Sequence, residues 1–192
     1  MSSSAKPPLA PGQLAAFARA ALMNATDLLA DAKVLLDAQR RPRAYALAVL
    51  AAEEYGKFHT CLHATRLDPD SPESWNAFWR SLSWHVAKFD KWHAALVDIG
   101  HYGTLYEEWL EAWSTRETLN QIALGGKLAA LYVDFKDGVA VEPRDAFTAE
   151  DARKMVGLVD KVITTISAME GTLDDQTFEM LYSTARRRAV AD

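Results

Sequence analysis

Apolar residues recur along most of this chain at the three- and four-residue spacing of helices rather than in the alternation of half-buried strands. Leu14, Phe17, Ala21, Leu28, Ala32, Leu35 and Leu36 form one stripe, which predicts an amphipathic helix from about Gln13 to Ala38 with Arg19, Thr26 and Lys33 on its opposite face. Pro42 suits the first turn of a second helix, and the Ala- and Leu-rich run that continues to Thr65 contains one breaker, Gly56. Ser71 and Pro72 are the expected N-cap and first residue of a third helix, carried by Phe78, Leu82, Val86, Phe89 and Leu96 towards Gly100.

Beyond a Tyr- and Trp-rich stretch from Leu105 to Trp113, Ser114 and Glu117 have capping-box spacing and predict a helix to about Asp134, weakened at Gly125 and Gly126. Lys136 to Phe147, with Gly138 and Pro143, is expected to be a loop. Thr148 then caps a helix whose stripe is Val156, Val159, Ile163 and Ile166; Gly171 closes it, and a last helix spans about Leu173 to Arg187. Only Leu131, Tyr132 and Val133 have local extended character. The pattern predicts an all-α bundle: residues 1–12, with Pro7, Pro8 and Pro11, as a disordered tail, and residues 13–192 as one domain.

Composition narrows the classes. The 192 residues are 49% hydrophobic and 24% charged, ordinary globular values that suffice for one self-supporting core. Cys61 is the sole cysteine, which excludes an intramolecular disulfide and any thiolate-rich metal site within one chain. With no stretch of membrane-spanning or export-signal character, a cytoplasmic protein without membrane contact is expected. A net charge of -5 excludes coating of nucleic acid by bulk electrostatics but leaves room for a local basic cleft. Arg186, Arg187 and Arg188 fit a solvated tail.

Several polar residues fall where the pattern favours apolar ones. Stepping about 100° per residue along the second helix groups Glu54 with Leu47, Leu50, Phe58, Cys61 and Thr65. A carboxylate on such a face needs a dedicated partner, either Lys57 one turn on or a cation from another helix. Asn24 and Asp31 share a stripe at the edge of the first helix's apolar face, placed to meet Glu54 and Lys57. The bland alternative is a structural polar network between two helices.

In the third helix His85 and Lys88 border the apolar face, and Arg80 lies five residues before His85. That spacing is about 140° around a continuous helix, so the two meet only across a shared cleft. An imidazole for proton transfer and a fixed cation for phosphate are the requirements of metal-free RNA cleavage. The competing assignment is a satisfied border histidine and a solvated arginine. Of six tryptophans, Trp84 beside His85 is the candidate for base stacking, whereas Trp75, Trp79 and Trp92 suit a core or an interface equally well. Asp27, Asp31, Glu53, Glu54 and His85 could converge, but the Glu-x-x-His pairs of a diiron bundle are absent. His59 and His63 share a helix face without a specified third zinc ligand, so no metal or other cofactor is expected.

Four segments carry a family resemblance. Ala48 to Lys57, AVLAAEEYGK, resembles the Ala-rich helix ending in Glu-Glu-x-Gly-Lys of AbiV-type HEPN proteins, and Asn24 to Leu36, NATDLLADAKVLL, is similar to the helix that precedes it. His85 and Lys88 resemble the following His-x-x-Lys, and Lys127 to Phe135, KLAALYVDF, a later segment. Arg80 to His85, RSLSWH, also resembles the wider HEPN nuclease pattern, with Ser81 where Asn, Asp or His is usual.

The resemblance implies a HEPN-like antiparallel helical bundle with additional C-terminal helices, forming a homodimer that brings two Arg and His pairs into one cleft. It implies an abortive-infection or toxin-like effector acting on RNA, with a phage protein or antitoxin as a further partner. His85 would then handle protons, Arg80 would stabilise phosphate, and Glu54, Lys57 and Lys88 would orient groups or bind the backbone, supported by Asn24, Asp31, Trp84 and Lys127. The contrasting expectation is a noncatalytic nucleotide-binding or protein-interaction bundle using the same cleft.

Overall fold

The computed structural model describes residues 6–100 and 121–170, together with Gln176, Glu179 and Met180. Four long helices come first and last: α1 (Pro11–Asp37), α2 (Arg41–Ala64), α4 (His85–Gly100) and α7 (Ala149–Glu170), with the shorter α3 (Pro72–Ser83) between α2 and α4. A π-helical turn, Gln121–Gly126, leads into α5 (Lys127–Leu131), followed by strands β1 (Asp134–Lys136) and β2 (Val139–Val141) and the one-turn α6 (Pro143–Ala146). The architecture is all-α, as expected, apart from that small hairpin. Among the described residues no helix is long and apolar enough to cross a membrane.

The second helix is the axis of the bundle, because α1, α4, α5 and α7 all pack on it. Its buried residues therefore run round the whole circumference, from Tyr45, Val49 and Phe58 to the small Ala44, Ala46, Ala48, Ala51, Ala52 and Ala64. Short side chains let several neighbours come close. A helix covered on all sides has no single apolar face, and this is why the expected placement of Glu54 fails: the buried carboxylate is its neighbour, Glu53.

Two glycines set the closest approaches. A Cβ on Gly56 would lie 1.9 Å from the Lys88 carbonyl oxygen, so α2 and α4 touch backbone to backbone there. A Cβ on Gly126 would lie 2.8 Å from the Tyr45 hydroxyl, which seats the end of the π-helical turn against the start of α2. π-Turns of this kind re-aim the residues that follow them.

The third helix starts as expected, with the Ser74 amide donating to the Ser71 hydroxyl at 3.3 Å. It does not continue to Gly100. The Ser81 and Ser83 hydroxyls donate to the carbonyls of Phe78 and Arg80 at 2.7 and 2.9 Å, competing with the helical ladder, and Trp84 is extended (φ -94, ψ 116). A new helix begins at His85, so Arg80 and His85 belong to different helices and the angular separation of a continuous helix does not apply.

The expected helix from Ser114 to Asp134 is described only from Gln121, and it stops at Leu131 because Tyr132 turns extended (φ -123, ψ 149). The stretch expected as a loop holds an antiparallel hairpin, Asp134↔Val141, Phe135↔Ala140 and Lys136↔Val139, turning on Asp137 and Gly138, both at positive φ. Thr148 caps α7 as expected, accepting from the Asp151 amide at 3.1 Å, and Val156, Val159 and Ile163 are buried. The Pro-rich lead-in is tied to α3, since Trp79 Nε1 donates to the Pro7 carbonyl at 3.1 Å and the Lys6 ammonium lies 4.9 Å from the Trp79 ring centre. Leu105 to Trp113, Gly171 and Arg186 to Arg188 lie outside the described residues.

Cys61 is fully buried in this core, and burial pushes its thiol up to about 12. It is expected to resist iodoacetamide at neutral pH in the folded protein and to react completely in denaturant; rapid native labelling would contradict its position. Gly56→Ala should lower stability in urea by about 2–3 kcal/mol or more, since backbone rather than a flexible side chain occupies the space a methyl needs. An unchanged midpoint would show that the two helices do not meet there.

Candidate functional site

Glu53 and His85 each stand three residues before the point where α2 and α4 touch, Gly56 on one helix and Lys88 on the other. That common offset brings the two side chains together. Glu53 is only 2% exposed, and its Oε2 lies 2.6 Å from His85 Nδ1 and 3.3 Å from Lys88 Nζ. Its other oxygen, Oε1, accepts a hydrogen bond from Lys127 Nζ. Both lysine side chains are buried, whereas that of His85 is 50% exposed. Three donors from two segments, α4 and α5, thus meet on one carboxylate of α2.

Each segment reaches the carboxylate for a local reason. The contact at Gly56 brings α4 in. The break at Trp84 makes His85 the first residue of its helix, leaving one side of the ring uncovered. The seat of Gly126 on Tyr45 lets the next residue, Lys127, extend into the core. Burial, with the charge of Asp151 adding to it, pushes the Tyr45 phenol well above its ordinary range, so that the hydroxyl beside Gly126 stays neutral. Tyr45 is further held against Phe147, with ring centres 4.4 Å apart.

The geometry assigns the protons. At 2.6 Å from a carboxylate oxygen, His85 Nδ1 carries hydrogen and donates. Lys127 Nζ, although 3.2 Å from the same nitrogen, then finds no lone pair there and bonds to Glu53 instead. With Nδ1 committed, Nε2 is the free nitrogen of a half-exposed ring: a base when the imidazole is neutral, an acid when it is charged. One carboxylate set against two ammonium groups leaves surplus positive charge at this point of an acidic chain, which favours an anion outside it.

Of the residues singled out in the sequence, His85, Lys88 and Lys127 are brought together. Arg80 is exposed at the end of α3, and its side chain has no ion pair among the described residues. Trp84, in the break between the two helices, is 52% exposed. Glu54 and Lys57 form the local ion pair, 2.5 Å apart and partly buried, and neither contacts the buried cluster among the described residues. Asn24 and Asp31 are exposed on α1 and do not meet that pair, because α1 presents its alanines to α2 instead.

Glu53 is the buried carboxylate that wheel geometry missed. The available signal was Gly56, one turn on: a glycine within a helix of alanines marks the side where another backbone arrives. The rings of His59 and His63 meet at a tilt with centres 4.6 Å apart, and among the described residues no group of three or more His, Cys, Asp or Glu is arranged to hold a metal.

The AbiV model of the HEPN class matches residues 13–164, and all four site residues fall within that span. No curated protein and no solved structure matches the chain.

Removing the Glu53 carboxylate leaves two buried ammonium groups without a counter-charge, so Glu53→Ala should cost about 3–5 kcal/mol of stability in urea. Glu54→Ala, which removes only a partly solvated pair, should cost about 1 kcal/mol or less. Equal losses from the two substitutions would contradict the assignment of the buried carboxylate.

Proposed function

This chain belongs to the HEPN AbiV family, and we propose that it is an abortive-infection effector that cleaves RNA without a metal, using His85 and Arg80. The observation that carries this reading is the Glu53–His85 pair, with Nδ1 bonded to the buried carboxylate and the imidazole side chain half exposed. Glu53 fixes the tautomer and orientation of the imidazole, and Lys88 and Lys127 hold Glu53. The imidazole is thereby positioned before any substrate arrives.

In the proposed reaction Nε2 takes the proton of an RNA 2′-hydroxyl while its oxygen bonds to the adjacent phosphorus. The bond from phosphorus to the 5′ oxygen breaks, that oxygen gains a proton, and the products are a 2′,3′-cyclic phosphate and a 5′-hydroxyl. Arg80 balances the charge developing on the phosphate oxygens. A homodimer with two such sites in one cleft would offer a second His85 as the acid. Trp84, exposed beside His85, gives an unpaired base a surface on which to stack, which favours single-stranded over duplex RNA.

One observation favours the noncatalytic alternative, a nucleotide-binding or protein-interaction bundle. Ser81, next to Arg80, spends its hydroxyl hydrogen on the Phe78 carbonyl and so has no donor left for a phosphate.

RNA incubated with the purified chain in EDTA should be cut to cyclic-phosphate ends. His85→Ala and Arg80→Ala should each lower the rate by about a hundredfold or more while the fold persists. Trp84→Ala should raise KM more than it lowers kcat, and Trp84→Phe should restore most of the difference. RNA left intact under all conditions, yet bound in a manner sensitive to Arg80, would favour the alternative.

A further inference from the structure

A cavity of about 330 Å³ lies between the start of α2, the π-helical turn, the end of α6 and the first turns of α7, lined by Tyr45, Ile122, Ala146, Phe147, Asp151 and Lys154. Its size is at the lower end of small-molecule sites, roughly 300–1,000 Å³. None of its lining residues belongs to the Glu53 cluster.

Three polar groups of this lining are left with bonding capacity. Tyr45 is only 6% exposed, yet among the described residues its hydroxyl makes no hydrogen bond, whereas a buried phenol ordinarily has a partner. It stays neutral, for the reasons given above, and can donate as well as accept. Asp151 commits one oxygen, Oδ2, to the Thr148 amide and hydroxyl at 2.8 and 2.6 Å, and among the described residues Oδ1 accepts no hydrogen bond. Lys154, three residues on and so on the same side of α7, does not close on Asp151. Its ammonium lies 3.9 Å from Glu150, and both of those side chains are more than half exposed.

Opposite charges thus stand about one helical turn apart, unjoined, beside a neutral hydroxyl and the apolar side chains of Ile122, Ala146 and Phe147. We propose that this cavity binds a free α-amino acid with a large apolar side chain. Its ammonium donates to Asp151 Oδ1 and the Tyr45 hydroxyl, its carboxylate accepts from Lys154, and its side chain lies against Ile122 and Phe147. Tyr45 is also the seat of Gly126, so the occupant lies close to the turn that precedes Lys127.

The charge pattern selects this class over its neighbours. An amine without a carboxylate leaves Lys154 facing an apolar body, and an acid without an ammonium sets like charge against Asp151. A phosphate ester meets two carboxylates, Glu150 and Asp151, against one ammonium, which disfavours a polyanion. A divalent cation finds too few ligands, since among the described residues no group of three or more His, Cys, Asp or Glu is arranged to hold one. A zwitterion whose two charges sit on adjoining groups satisfies Asp151 and Lys154 together.

Ligand-observed NMR titration of the full chain tests the site without reference to RNA cleavage, with L-phenylalanine and L-leucine as probes and phenethylamine and 3-phenylpropanoate as controls that each lack one charge. At least one amino acid should bind with a Kd below about 1 mM, and each control at least about tenfold more weakly than L-phenylalanine. Tyr45→Phe keeps the ring contact with Phe147 and removes only the unpaired hydroxyl; it should weaken L-phenylalanine about tenfold at unchanged circular dichroism. Lys154→Met, at an exposed position, should weaken L-phenylalanine to a similar degree and leave the weaker binding of phenethylamine as it was. Neither amino acid bound at about 10 mM would overturn the proposal. So would phenethylamine binding as tightly as L-phenylalanine, or amino-acid binding indifferent to both substitutions.

Discussion

The backbone contact between α2 and α4 at Gly56 is the constraint on which the site depends. Helices normally keep the distance that their side chains impose. Where one side chain is absent the two main chains meet, and residues one turn back on each helix come within hydrogen-bond reach. Glu53 and His85 are those residues.

Once placed, the Glu53 carboxylate organises its surroundings. A buried anion requires compensation, and three donors from α4 and α5 supply it. Two of them are enclosed, whereas the third is half exposed. The difference arises from chain geometry: Lys88 lies at the helix crossing, Lys127 follows a turn seated on Tyr45, and His85 starts a helix at a break. The same polar cluster therefore stabilises a join between helices and presents a prepared imidazole, without a conflict between the two roles.

The chain also separates its surfaces by chemistry. Trp84, which precedes His85, and Arg80, at the end of α3, are exposed, while the hairpin beyond α5 leaves Phe135 and Val139 in water. The short α5 links the two regions. An acidic chain can in this way carry a local cationic cluster.

The sequence by itself determined the helical class, the starts of α1, α2, α3 and α7, and the identity of His85, Lys88 and Lys127 as residues of interest, because helix periodicity and capping act between residues near in the chain. The choice of Glu53 over Glu54 was a tertiary matter. On a helix covered from all sides by α1, α4, α5 and α7, no periodicity marks which carboxylate faces the gap. The break at Trp84 and the hairpin at Asp137–Gly138 rest on small local competitions, serine hydroxyls against helical bonds and a two-residue turn against a loop, that periodicity does not register.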